Sequence, residues 1–380
     1  MPKLSLIFSD TELGAGNKTD DLVEEELLYS TIRKHHKDAK QYPTDLILNG
    51  DIFDFIKCPY KRKYPRHITE KVSEYKFKKI IKAHPKFFTV LRQFLKNDKK
   101  SRIIFITGNH DFDITFPKIQ QLIKQQIGKK DEILQQRILF PGFEYRDNQV
   151  HFEHGSQLDP IFKVDPEKII YGSPEIVENP VLLVPWGYSA IYDFFIQMKE
   201  EFPLLERMAP KKEVLKTFPK KFRRKLIIHS TWYLLKAFFY TQFKYWSDKL
   251  YRFSPYELYY FLSSLFRKQF ELLIIDKAKR KVKKEDFKLF VVGHSHGDKI
   301  YEIKDSFVLN TGSWRDEYEF SKKDKIYYPK DKNYGYVLHT KNNILKMEII
   351  KVKSNQKPVK LETIKKIVDS YKRDIEWFFK

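Results

Sequence analysis

Cysteine is almost absent from this chain. Cys58 is the single one in 380 residues, so no internal disulfide can form, which suits a reducing compartment. A long, charge-free apolar run is also missing. The most apolar stretches are "PVLLVPWGYSAIYDFFIQM" and "LIIHSTWYLLKAFFYTQFKYW". Pro185, Gly187 and Asp193 interrupt the first, and His229 and Lys236 the second, so neither reads as a membrane-spanning helix. The N-terminal "KLSLIF" runs straight into Asp10 and lacks the layout of a signal peptide. A cytoplasmic protein is therefore expected. Acidic residues are scarce beside basic ones, 50 against 72, for a formal charge of +22. Such a surface favours anionic partners: nucleic acid, anionic lipid headgroups or phosphorylated substrates. A lysine-rich surface that serves only solubility is the alternative. There is no internal repeat and no low-complexity segment. With 42% hydrophobic and 16% aromatic residues, a packed core is feasible and global disorder is disfavoured.

The first part of the chain alternates strands and helices. "LSLIF", "DLILNGD" and "RIIFITGNHD" read as buried strands ending in turns. "DDLVEEELLYSTIRKHHK" has helical spacing, with Asp20-Asp21 expected to cap it. "YKFKKIIKAHPKFFTVLRQFLKN" is helical and broken near Pro85. "ILFPGFEYRDNQVHFEHG" reads as two strands around a Pro-Gly turn or loop. Residues 157–286 are largely helical, aromatic and basic, with the run "KKFRRK" at 220–225. This insertion is either a helical subdomain with a solvated basic face, or a lid whose apolar face holds a lipid or touches a membrane. Strands return in "FKLFVVGHSHGD" and "DSFVLNTGSW". "GYVLHTKNNILKMEIIKV" reads as a hairpin with Asn-Asn in its turn, and the tail as an amphipathic helix. The expected divisions are a core of 1–156 and 287–352, a cap of 157–286 and a C-terminal helix of 353–380.

Five polar clusters each follow an apolar strand, where open α/β sheets place their sites. They are "SDTELG" (Asp10, Glu12), "NGDIFD" (Asp51, Asp54), "TGNHD" (Asn109, His110, Asp111), "EHGSQLD" (His154) and "VGHSHGD" (His294, His296). Carboxylate, amide and imidazole ligands without thiolate suit Mn²⁺, Fe²⁺ or Zn²⁺, and Mg²⁺ less well where imidazoles are numerous. The donors exceed the needs of one tetrahedral ion. Two ions clamping a phosphoryl group is the economical reading. Gly50, Gly108, Gly155 and Gly293 adjoin the clusters and permit tight turns there.

Taken in order, the clusters resemble the calcineurin-like metallophosphoesterase pattern D-x-H, G-D-x-x-D, G-N-H-D/E, H and G-H-x-H. The resemblance spans residues 4–156 and 287–315 and includes "NTGSW". It implies a four-layer α/β/β/α sandwich with a helical cap insertion. It also implies hydrolysis of a phosphoester or pyrophosphate bond by a metal-activated hydroxide. By position, Asp51 would bridge two ions. Asp10 and His296 would bind the first ion, and Asn109, His154 and His294 the second. His110 would lie beside the scissile phosphate, oriented by Asp111. The insertion lies where the UDP-2,3-diacylglucosamine pyrophosphohydrolase branch carries its cap, although that branch usually has arginine in place of His110. A phosphorylated lipid or nucleotide-linked amphiphile is the implied substrate, with peripheral contact to an anionic membrane.

Glu12 departs from the pattern, which has histidine there. We expect it to ligate through oxygen and to harden the site, favouring Mn²⁺, Mg²⁺ or Fe²⁺ over Zn²⁺. Asp54 is expected to orient a neighbouring group. His151, three residues before His154 in a strand, should face away and be structural. His35, His36, His67, His84 and His229 match no cluster, and Cys58 reads as a packed small residue. Gln157 and Asp159 could touch substrate or fix the His154 loop. Two other functions remain open: a nuclease of the same fold, and a catalytically silent scaffold.

Overall fold

Residue alternation along the central strands builds two facing sheets. The computed structural model describes residues 1–172, 179–185, 196–209, 211–218 and 270–370, with isolated positions between 188 and 243. The larger sheet contains β1 (Lys3–Phe8), β2 (Thr44–Asn49), β3 (Arg102–Ile106), β4 (Ile138–Gly142), β15 (Lys332–His339) and β16 (Ile344–Val352), in the order β16-β15-β1-β2-β3-β4. β1 to β4 are parallel; β15 and β16 join antiparallel. The second sheet contains β5 (Glu144–Asp147), β6 (Val150–Glu153), β10 (Leu289–Val292), β11 (Asp298–Ile303) and β12 (Ser306–Thr311), in the order β11-β12-β10-β6-β5. Short strands make up the rest: β7 (Ile170–Tyr171) with β8 (Val181–Leu182), and β9 (Met208–Ala209), β13 (Tyr318–Ser321), β14 (Ile326–Pro329) and β17 (Val359–Lys360) in a small sheet.

The period of two decides what each strand touches. Ile7, Ile47 and Ile104 point toward the second sheet and share a core with Phe152, Val291 and Leu309. Their neighbours Leu6, Leu46 and Phe105 point the other way, into the aromatic core under helices Glu70–Ala83 and Pro85–Asn97. β10 repeats the division. Leu289 and Val291 face the larger sheet, whereas Phe290 and Val292 pack on Ile275, Ala278 and Val282 of helix Phe270–Lys284. The molecule is thus mixed α/β, with helices against the outer face of each sheet.

Several local expectations change. Asp20 and Asp21 do not cap a helix, because that helix starts at Glu25 and its cap position, Glu24, makes no side-chain cap bond. Asp20 instead accepts from Gly16 N at 2.7 Å, and Asp21 is buried among cations. Pro141-Gly142 is not a hairpin turn. It ends β4 in one sheet, and the chain crosses to β5 in the other, so the segment holds three strands rather than two. The hairpin turn lies at Asn148, which takes φ +55°. The C-terminal helix begins at Leu361, not at 353, because Val359–Lys360 first pair with β14; residues 371–380 lie outside the described residues. The Asn342-Asn343 hairpin is present, with Thr340 N donating to Asn343 O. The break near Pro85 falls at His84, between two helices. His151 stacks on Phe287 on the helix side of its sheet. Burial pushes the Cys58 thiol up to about 12, as fits a packed small residue. Parts of 157–286, and so of the expected cap, lie outside the described residues, among them 173–178 and 244–269.

His84 fastens the loop after β1 to the helices. Its Nδ1 lies 2.8 Å from Glu25 Oε1, and its Nε2 lies 3.0 Å from Gly14 O and 3.4 Å from Asp20 Oδ2. Burial opposes the charge, but Asp20 and Glu25 hold the imidazolium up to about 9. Because this value is raised, its stabilisation is complete below about pH 6.5 and is lost as pH climbs through about 9. Urea unfolding of wild type and His84→Gln should therefore differ by about 3 kcal/mol near pH 6 and converge toward pH 10. A gap that stays constant across that range would refute the charged pairing.

Candidate metal centre

The five clusters meet at the C-terminal ends of β1, β2, β3, β6 and β10. Asp10, Glu12, Asp51, His294 and His296 all adopt left-handed backbone, with φ of 48° to 62°. Each such non-glycine residue costs on the order of 1 kcal/mol. The strain re-aims side chains at the strand ends, and the loops are locked together to sustain it. Asp10 N donates to Gly50 O, Glu12 N to Asp51 O and Leu13 N to Ile52 O. Trp314 N and Arg315 N, in the segment after the two-histidine cluster, both donate to Asp10 O. Two glycines are required by close approach. A Cβ on Gly50 would lie 2.4 Å from the His154 ring, and one on Gly108 would lie 2.2 Å from Asp51 Oδ1.

Asp51 sits at the middle. Its Oδ1 accepts from His110 N at 2.7 Å, and its Oδ2 lies 3.0 Å from His154 Nε2. Burial would raise this carboxyl, but the His154 and His110 imidazoles hold it well below the usual range. His154 Nδ1 is 2.9 Å from Asn49 O, an arrangement that fixes the ring and aims Nε2 inward. Asp51, His154 and His294 offer ligand atoms within 4.8 Å of one another. Asp10 Oδ1 lies 3.2 Å from His296 Nε2 and 4.0 Å from His154 Nε2. The outer nitrogens are tethered too: His294 Nε2 to Asp159 Oδ2 at 3.0 Å, and His296 Nδ1 to Glu317 Oε1 at 2.8 Å.

These residues fit a divalent cation. Asp10 Oδ1, Asn109 Oδ1 and His154 Nε2 are buried yet have no aligned hydrogen-bond partner among the described residues. Leaving three such atoms unsatisfied would cost about 1–3 kcal/mol each, and all three are metal-ligating types. Carboxylate–imidazole tethers behind the ligand histidines are the usual supports of such rings.

Glu12 is placed differently. Its Oε2 takes the Lys57 ammonium at 2.6 Å and its Oε1 the Arg315 guanidinium at 3.0 Å. Lys57 Nζ also lies 2.6 Å from Asp21, 2.7 Å from Asp54 and 3.3 Å from Glu206. Lys199 pairs with Asp21 and Glu206, and Arg207 with Asp21. Arg315 reaches Glu206 and Glu317, and Lys330 completes the far side at Glu317. Burial opposes the charge on Lys57, but the four surrounding carboxylates hold it well above the ordinary lysine value. Glu12 therefore belongs to a buried ion network that also secures the 199–207 segment.

His110 and Asp111 also divide their work differently from expectation. Asp111 does not orient His110. Its Oδ1 accepts from Gly108 N at 2.7 Å and its Oδ2 from Ile52 N at 2.9 Å, so it ties the β2 and β3 loops together. Asp54 is the carboxylate beside the ring, with Oδ1 3.3 Å from His110 Nδ1. Burial works against the imidazolium of His110, but Asp51, Glu12 and Asp54 push it up to about 10. Sequence reasoning left Asp159 between two roles, and its bond is to His294. It missed Lys57, Lys199, Glu206, Arg207, Arg315 and Glu317. For Glu317 and Arg315, their closeness to "NTGSW" was the available signal.

Comparison with protein-family models finds no match, and neither does comparison with curated proteins. Among solved structures, the chain is similar to a Staphylococcus aureus protein provisionally described as a 5'-nucleotidase, in complex with alpha-ketoglutarate. The identity is 11% and the TM-score 0.33. The alignment covers 98% of this chain but 59% of that one, so this chain spans less than two thirds of the other's length.

The Asp111 assignment can be checked by stability. Asp111→Ala strands the amides of Gly108 and Ile52 and should lower unfolding free energy in urea by about 2–5 kcal/mol. Unchanged stability with impaired catalysis alone would restore the orienting role.

Proposed function

We propose that the chain is a divalent-metal-dependent hydrolase of phosphoester or pyrophosphate bonds. One observation carries this reading: the buried Asp10 Oδ1 and His154 Nε2, neither with an aligned hydrogen-bond partner among the described residues, lie 4.0 Å apart beside Asp51. Asp10, Asp51, Asn109, His154, His294 and His296 would hold metal, with two ions sharing Asp51 as the fullest loading; Mn²⁺ is the preferred ion, with Fe²⁺, Mg²⁺ and Zn²⁺ as alternatives. Metal held there supplies Lewis acidity to a phosphoryl oxygen. His110, steadied by Asp54, can stabilise charge on the phosphoryl group and give a proton to the departing oxygen. The helix–sheet–sheet–helix contacts support the four-layer sandwich reading. In that reading residues 1–156 and 287–352 form the core, and 157–286 forms the cap.

Purified protein loaded with Mn²⁺ should cleave an aryl phosphate or a bis-aryl phosphate. His110→Ala should lower turnover by about 10²–10⁴-fold, and Asp51→Asn should abolish it. Full activity in Asp51→Asn would defeat the mechanism. Failure on all phosphoesters would leave the scaffold, and steeply salt-dependent DNA cutting would instead favour the nuclease.

We further propose that the substrate is a phosphorylated amphiphile met at an anionic membrane surface. No helix among the described residues is long and apolar enough to cross a membrane. Ile228, Trp232, Phe239 and Phe243 are nonetheless more than half exposed, and Leu235 is nearly so. Their spacing of four, three, four and four places them on one helical face. Lys220, Arg223 and Arg224 gather beside Ile228, the pairing of apolar and basic groups that anionic interfaces attract. The protein should cosediment with vesicles containing phosphatidylglycerol and not with pure phosphatidylcholine. Trp232→Glu with Phe243→Glu should release it; undiminished binding by that variant would refute the surface.

A further inference from the structure

Two ions sharing Asp51 would need comparable ligand sets, and the two sides of this centre are unequal. On one side stand Asn109, His154 and His294, with unpartnered donor atoms on Asn109 and His154. On the other stand Asp10, whose Oδ1 is likewise without an aligned hydrogen-bond partner among the described residues, and His296, while both oxygens of the next carboxylate, Glu12, are engaged by cations. The cations are Lys57 at 2.6 Å and Arg315 at 3.0 Å. Lys57 is 2% exposed on its side chain and Arg315 10%, so neither can simply turn into solvent. The ligand-like groups that include Glu12 join it to Asp54 and His110, or to Asp21 and Glu206. Asp54, Asp21 and Glu206 are themselves paired with Lys57.

Charge accounting agrees. Glu12, Asp21, Asp54, Glu206 and Glu317 are matched by Lys57, Lys199, Arg207, Arg315 and Lys330. Among the described residues these five carboxylates and five cations balance. A cation drawn to Glu12 would have to break a buried ion pair and leave an ammonium or guanidinium without its partner, a change worth at least about a hundredfold in affinity.

We propose that Glu12 is not a metal ligand and that the centre binds one divalent ion tightly, on Asp51, Asn109, His154 and His294. The Asp10–His296 side takes a second ion only at least about a hundredfold more weakly. The Lys57–Glu12–Arg315 bridge engages Glu12 in place of a second ion and links the centre to the 199–207 segment through Glu206. This inference rests on the metal-dependent reading above but not on the reaction assigned to it.

The full-length protein, stripped with chelator and dialysed, is titrated with Mn²⁺ alone. Bound metal is counted by elemental analysis, and the spin state is read by electron paramagnetic resonance. One tight equivalent is expected, with the signal of an isolated ion and no exchange-coupled pair. Glu12→Gln should keep that equivalent, whereas Glu12→His combined with Lys57→Met should add a second. Two equivalents of similar affinity in the wild type, or a coupled signal, would overturn the inference whether or not the variants fold. Loss of the tight ion in a folded Glu12→Gln protein would overturn it too. One tight ion without turnover on any phosphoester upholds it and defeats the proposed reaction. Two equal ions with turnover do the reverse, and no bound ion defeats both.

Discussion

The centre depends on parallel pairing that continues beyond the ends of β1 and β2. Within the sheet, Phe8 stands opposite Leu48. Past the sheet the ladder persists as Asp10 N to Gly50 O, Glu12 N to Asp51 O and Leu13 N to Ile52 O. Left-handed backbone at Asp10, Glu12 and Asp51 makes this continuation compact. Without those bonds each residue would relax to an ordinary conformation and its carboxylate would swing away. Asp111, gripping amides of both the β2 and β3 loops, extends the lock to Asn109 and His110. The apolar layer between the sheets matters chiefly because it brings β6 and β10, and so His154 and the two later histidines, up to this ladder.

A second set of forces surrounds the first. Buried ion pairs are poor sources of net stability, since desolvation offsets much of their attraction. Their value here is positional. Lys57 touches carboxylates from the loops after β1 and β2 and from Glu206, more than a hundred residues later. Arg315 brings in the segment after β12. Each partner fixes the others' rotamers, because any one moving alone would leave a buried charge uncompensated. That mutual constraint can hold a centre whose backbone is already strained.

Sequence made the framework legible wherever a local rule applied. Short apolar runs such as "LSLIF" and "RIIFI" marked buried strands, and the glycine-flanked polar clusters marked their ends. Local rules failed where a partner came from far along the chain. Asp20-Asp21 resembled helix caps because short acids before a helix commonly are, but Lys57, Lys199 and Arg207 determine where Asp21 lies. The family resemblance paired Asp111 with His110. The fold instead gave its oxygens to backbone amides and let Asp54, from another loop, approach the imidazole. Pro141-Gly142 carried a turn signal that served a crossing between sheets.

Glu12 shows that residue type alone does not decide what a carboxylate binds. A carboxylate at a metal-ligand position looks competent, since its oxygens match hard cations. Competence, however, requires lone pairs that are not already committed. Replacing a neutral imidazole by a buried carboxylate adds a negative charge, and burying that charge alone would be prohibitive. A protein that keeps such a residue needs cations beside it, and here two are built in, from positions 57 and 315. The same cations that make Glu12 tolerable inside the fold engage both of its oxygens. Under the single-ion loading proposed above, the compensation and the loss of ligand character are one physical event.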